Sequence, residues 1–231
     1  MGMLTRPFNR ISKRTTRHMS SWSSNHDLFE YTSGRFLFNE QRRLAERRVQ
    51  FNVDALVDAV CRSTGQSASE IFSLSKLTEN GYNRIIQTSF KDGHTVLAKI
   101  PYKIAVPRRL AVASEVATLD LLRRTGVPVP KVLAYCADRT NSVGAEYILF
   151  EKPEGRPLSE TWLSMKNEMR AEVMKQIAAA ESKFLDIPFP SNGCGSLYYC
   201  RDLGETQFSI PLPAQSGIIP PPDLIDCVDI L

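Results

Sequence analysis

The 231-residue chain predicts an α+β fold, an antiparallel sheet of about five strands with one helix packed against it. Three observations carry that expectation. Asp92-Gly93 sits between two β-prone runs, residues 85–90 and 95–100, and Asp-Gly in that setting marks a tight hairpin because glycine takes positive φ freely. Residues 108–124 then place Val112, Val116, Leu119 and Leu122 at helical spacing. Two further β-prone runs, residues 131–135 and 146–150, flank a polar turn at residues 138–144.

In chain order, residues 1–25 hold Arg6, Arg10, Lys13, Arg14 and Arg17, many Ser and Thr, and no acid. That is the composition of a mitochondrial transit peptide, with a disordered basic terminus as the alternative. The whole chain has 29 Lys and Arg against 25 Asp and Glu, so removing those five leaves 24 against 25. The basic balance therefore belongs to the leader, and nothing supports nucleic-acid binding. No apolar run reaches the ~18 residues needed to span a bilayer, so no membrane span is expected. Cys61, Cys136, Cys194, Cys200 and Cys227 form no C-x-x-C pair, and His18, His26 and His94 are scattered. No zinc site is legible, and the thiols are expected to be free.

Residues 28–35 form a short aromatic segment leading into a charged helical stretch at 39–48. Asn52 caps a second helix at 53–62, with Leu56, Val57 and Val60 inward and Gly65 just past its end. Ser67 with Glu70 has capping-box spacing, but a strand-like run at 71–77 follows at once. The segment Glu79-Asn80-Gly81-Tyr82-Asn83 turns the chain into the strand ending at Phe90, and residues 95–100 return it. On that return strand Val96, Ala98 and Ile100 share one face, and Thr95, Leu97 and Lys99 the other.

Glu115 lies three residues after Val112 and four before Leu119, on the apolar side of its helix. A carboxylate there calls for a nearby cation. A strand lysine paired with an inward glutamate of the next helix orients ATP phosphates in kinase-like folds. Such a pair gains about 4 kcal/mol at ~4 Å and an effective dielectric of ~20 before desolvation, so it serves as an orienter more than a staple. On these two residues alone, a solvent-edge lysine and an unrelated helix glutamate stand as the alternative.

Residues 125–130, Thr-Gly-Val-Pro-Val-Pro, stop the helix. After the last strand, Glu151-Lys152-Pro153-Glu154-Gly155 forms a short connector, followed by helices at 158–165 and 167–185. The second carries Val173, Ile177 and Phe184 on one side, a face that needs a partner. From Pro188 the chain turns loop-like, and residues 211–222 are proline-rich.

Four segments, residues 27–35, 110–119, 126–132 and 146–152, resemble the fungal "altered inheritance of mitochondria" proteins of the aminoglycoside phosphotransferase-like group. The likeness covers about residues 27–203. It implies a protein-kinase-like N-terminal lobe at residues 67–152, after a transit peptide at 1–25 and a helical extension at 26–66. Residues 153–203 would begin a helical C-terminal lobe that is largely missing, and residues 204–231 an irregular tail. By the same resemblance Lys99 would meet the α- and β-phosphates of ATP and Glu115 would hold it. The turn at Asn80 and Gly81 would lie over the phosphates, and Glu151 would open the hinge whose backbone meets adenine. Asn80 departs from the small residue expected before Gly81, and an ordinary hairpin turn is the alternative there.

The resemblance also implies Mg and an acceptor that is a small molecule or a protein. Phosphoryl transfer needs a catalytic aspartate and metal-holding Asn and Asp residues, and no His-x-Asp occurs in the sequence. Asp226 and Asp229 lack the loop that metal ligands of this kind require. Nor is there a G-x-x-x-x-G-K-[ST] phosphate loop. The leading expectation is thus a mitochondrial, kinase-fold protein whose chain is the ATP-binding lobe of a phosphotransferase, truncated before its catalytic loop. A non-catalytic nucleotide-binding or adaptor module is the second reading, and a fragment that never folds stably is the third.

Overall fold

The computed structural model describes residues 26–187, 189, 195–203, 209–210 and 226–229. The leader and the proline-rich stretch at 211–222 lie outside these residues. Two helices come first, α1 (Glu40–Arg47) and α2 (Val53–Thr64). Asn52 caps α2 by accepting the Ala55 N–H at 3.1 Å, and Gly65 ends it at φ 72°, a left-handed conformation that glycine adopts without strain. At Ser67 the side chain accepts from the Ser69 N–H, but it opens only the single 3-10 turn Ala68–Glu70. The β-prone run that follows takes over immediately.

That run is β1 (Ile71–Glu79), two residues longer than its apolar stretch suggests. Next come β2 (Asn83–Phe90), β3 (Thr95–Pro101), α3 (Arg108–Arg124), β4 (Val132–Cys136) and β5 (Tyr147–Glu151). The strands form one five-stranded sheet in the order β1-β2-β3-β5-β4, every neighbour antiparallel. Gly93 at φ 88° makes the β2–β3 hairpin, and Gly126 at φ 79° ends the excursion through α3.

The expectation of one packed helix is corrected by the core. Leu56, Val57 and Val60 of α2, with Leu28 and Phe51, form one hydrophobic cluster with Ile86, Val96, Ala98, Ile100 and Leu149 of the sheet. On the opposite face α3 lays Val112, Ala113, Val116 and Ala117 against Ile148. The sheet is therefore covered on both sides, and the segment before it supplies one of the two layers. This also explains why β3 is buried on both faces: Leu97, on the side shared with Lys99, is only 6% exposed.

Beyond β5 lie α4 (Leu158–Thr161) and α5 (Asn167–Leu185). None of the α5 residues is buried, and Ile177 and Phe184 are exposed, so the apolar side read from the sequence has no cover among the described residues. Lys183 reaches back to donate to the Gly126 carbonyl at 2.6 Å. Finally β6 (Ser196–Tyr199), β7 (Ser209–Ile210) and β8 (Asp226–Asp229) form a small sheet in the order β6-β8-β7. Regular strands thus occur within 204–231, where the sequence suggests an irregular tail, and Asp226 and Asp229 fall at the ends of β8. Tyr198 and Tyr199 of β6 are buried in the α3 layer, so this segment caps the helix from outside. Cys61 and Cys136 are free thiols.

Candidate functional site

Lys99 stands near the end of β3, paired across the sheet with Ile85 of β2 and Ile148 of β5. Two turns into α3, Glu115 faces it. The Lys99 ammonium donates to both carboxylate oxygens of Glu115, each at 2.6 Å. The fold produces this contact because α3 packs its small face, Ala113 and Ala117, onto the strand beside β3 and so brings Glu115 within reach. The side chains keep 22% and 36% of their surface exposed, so solvent and small solutes reach the pair. An ion pair this open contributes about 0–1 kcal/mol to stability, which leaves positioning of the ammonium as its main physical effect.

Asn80 and Gly81 form the β1–β2 turn. The Asn80 carboxamide oxygen accepts the N–H groups of Tyr82 at 2.8 Å and Asn83 at 2.9 Å, and the Asn80 N–H donates to the Asn83 carbonyl. This is a side-chain-closed turn of the Asx kind, in which the asparagine takes the amides an anion could otherwise use. Gly81 is outside the positive-φ region, and a Cβ there would meet nothing within 4 Å, so the turn itself makes no demand for glycine.

Glu151 ends β5, donates its N–H to the Lys131 carbonyl at 3.0 Å, and places its carboxylate 4.0 Å from the Lys131 ammonium. Together with His94, Lys131 and residues 152–155 it lines a cleft of about 940 Å3. The Lys152 N–H is bonded to the Thr95 carbonyl, and Pro153 has none. Lys99 is not among the residues lining that cleft. The structure thus brings Lys99 and Glu115 together, keeps Asn80 and Gly81 at the hairpin tip, and sets Glu151 beside a separate cleft. No group of three or more His, Cys, Asp or Glu side chains among the described residues is arranged to hold a metal ion.

Sequence reasoning missed the most buried polar cluster among the described residues. Glu79, its side chain 1% exposed, meets the equally buried Arg84 at 3.2 Å across the turn. It also accepts from Tyr102 at 3.0 Å, from Lys76 at 3.1 Å, and from the Thr32 and Ser33 backbone N–H groups. Arg84 in turn donates to the Leu28 carbonyl at 2.7 Å and lies over the Tyr102 ring. Burial alone would push the Glu79 carboxyl up, but the Thr32 amide, the Lys76 ammonium and the Tyr102 hydroxyl outweigh it and hold the pKa at about 2. One signal was available. Glu79 and Arg84 flank a tight turn as direct cross-strand partners, the spacing at which opposite charges pair. The contribution of Thr32 and Ser33, more than forty positions away, had no local signal.

A second cluster escaped notice for the same reason. Tyr199 donates to Asp120 of α3 at 2.8 Å, and Tyr135 donates to Asp202 at 2.7 Å, with the Arg201 guanidinium over both rings. Burial, reinforced by the hydrogen bond to Asp202, raises the Tyr135 hydroxyl to about 12. These contacts fasten β6 to the outer side of α3.

No family model matches the chain. A subtelomeric hrmA-associated cluster protein of Aspergillus fumigatus is 44% identical over 140 residues, which cover 60% of this chain and 27% of that protein. Proteins named "altered inheritance of mitochondria protein 9, mitochondrial" match more of it. The one from Debaryomyces hansenii is 27% identical over 80% of this chain, and the one from Candida tropicalis 29% identical over 82%. The chain spans 27–37% of the length of these three relatives. The names of the second group support the mitochondrial localisation expected from residues 1–25.

Proposed function

We propose that this chain is the nucleotide-binding lobe of a mitochondrial phosphotransferase with a kinase-like fold. The observation that carries the reading is the ion pair between strand and helix, Lys99 to both oxygens of Glu115 at 2.6 Å. An ammonium held in this way, with part of its surface open, is placed to meet a phosphate chain. The connectivity supports the same reading, since α3 falls between β3 and β4 of a sheet ordered β1-β2-β3-β5-β4.

The fit to ATP is uneven. Lys99 would hold the α- and β-phosphates and Glu115 would fix its direction. The turn at Asn80 and Gly81 offers less, because its Tyr82 and Asn83 amides are already satisfied by Asn80. At Glu151 and Lys152 the amides are likewise engaged within the sheet, so adenine would have to meet carbonyl oxygens or the residues beyond Pro153. Phosphoryl transfer would need Mg and a catalytic aspartate, and the 231 residues contain no His-x-Asp to supply the latter. That absence, with the self-satisfied turn, favours nucleotide binding without turnover for this stretch taken alone, the adaptor reading. The acceptor, a small molecule or a protein, is unassigned.

The test is thermal. ATP at a hundredfold its dissociation constant stabilises a folded binder by about 2.7 kcal/mol, a readily measured rise in melting temperature. The rise should vanish in Lys99→Ala. A rise of equal size in that variant would remove Lys99 from the phosphates and overturn the proposal. Release of phosphate by the wild type, lost in the same variant, would separate a catalyst from an adaptor.

A further inference from the structure

Away from Lys99, three stretches of chain converge on a cleft of about 580 Å3. Arg48 follows α1, Lys103 comes from the link between β3 and α3, Arg108 is the first residue of α3, and Arg139 and Glu146 come from the link between β4 and β5. Its walls therefore carry four cations. Two are engaged: Arg108 lies 3.3 Å from the buried Glu146, and Arg48 lies 3.4 Å from Glu30. Lys103 and Arg139 have no carboxylate partner among the described residues. Two carboxylates against four cations leave two positive charges in one concavity. Like charges gathered from separate segments repel, and the arrangement is relieved by an anion.

We infer that this cleft binds the phosphate group of a small, soluble phosphomonoester. The charge matches, since a phosphomonoester carries about −1.5 to −2 at neutral pH, and its three terminal oxygens suit guanidinium and ammonium donors. A volume of about 580 Å3 exceeds that of a bare ion and falls within the range of small-molecule sites, ~300–1,000 Å3. Ala45, Val49 and Ala145 provide an apolar wall for the body of such a molecule. Two free charges drawn from separate links into one concavity distinguish the cleft from an ordinary solvated basic face, whose charges point apart. Neither Lys99 nor Glu115 lines it, so the inference is independent of the nucleotide site.

Calorimetric titration of the full chain with glycerol 2-phosphate, at fixed ionic strength, tests it. Saturable binding is expected. The double variant Lys103→Glu, Arg139→Glu should weaken it about tenfold or more, the loss expected from removing two charge-assisted contacts. Both residues are exposed, so the variant's melting temperature should stay close to that of the wild type. Lys91→Glu, a charge reversal at an exposed residue that does not line the cleft, should bind as the wild type does. Absence of binding by the wild type, equal affinity in the double variant, or equal affinity for sulfate would each overturn the proposal, the last by showing a response to charge alone. Binding to phosphatidic acid vesicles without binding to the soluble ester would also overturn it, in favour of a membrane contact.

Discussion

Replacing Glu79 by glutamine keeps the side chain's shape and removes one charge from a site where its partner cannot reach water. Arg84 stays 1% exposed with no other carboxylate bonded to it among the described residues, while Lys76, Tyr102 and the Thr32 and Ser33 amides lose their charged acceptor. Two routes give the cost. A carboxyl held at about 2 rather than at 4.5 in the folded state contributes about 3 kcal/mol at neutral pH. Breaking a buried pair by removing one partner costs about 3–5 kcal/mol. For a chain of this size, with about 2–4 °C lost per kcal/mol, the melting temperature should fall by about 6–20 °C.

The pH dependence has a definite sign. Because the folded pKa lies below the unfolded one, this stabilisation is complete above about 4.5 and disappears as pH falls toward about 2. Melting curves of wild type and Glu79→Gln, followed by circular dichroism from pH 7 down to pH 2.5, should therefore converge at the acid end. A variant that melts within 2 °C of the wild type at pH 7, or a gap that fails to narrow in acid, would show that the cluster is not a charge-stabilised anchor.

Three substitutions probe other parts of the architecture. Asn52→Ala removes the α2 cap and should lower stability by about 1 kcal/mol, seen as a shift in the urea midpoint at constant slope. Leu149→Ala, at a fully buried position of β5 in contact with the α2 layer, should cost about 2–5 kcal/mol in the same assay. Lys99→Ala, despite its short contacts, should change stability by about 1 kcal/mol or less, because the pair is open to solvent. A larger loss there would recast the pair as structural.

The elements that could be read from the sequence are those whose signals are local. Asn52 and Gly65 mark the ends of α2 through capping and left-handed φ, and Asp92-Gly93 marks its hairpin through turn chemistry. The spacing of Val112, Val116 and Glu115 indicated both the buried face of α3 and the need for a cation on it. What remained hidden depends on distant chain. The position of α2 across the sheet from α3 is decided by which apolar faces meet, and amphipathic spacing alone does not name the partner. Asn80 departs visibly from the small residue expected at the turn, but the closing of its oxygen over two amides is a matter of side-chain geometry. The convergence of Lys103 and Arg139 comes from two links that the sheet order sets side by side, and spacing in sequence does not show it.

The bonds from Thr32 and Ser33 to Glu79 set a limit on maturation. If a mitochondrial protease trims this protein, a cut after Ser33 would strip the donors that keep a carboxylate charged in the interior, and a cut after Leu28 would remove the Arg84 acceptor as well as a wholly enclosed leucine. For these contacts to survive, any such cut has to fall ahead of Leu28.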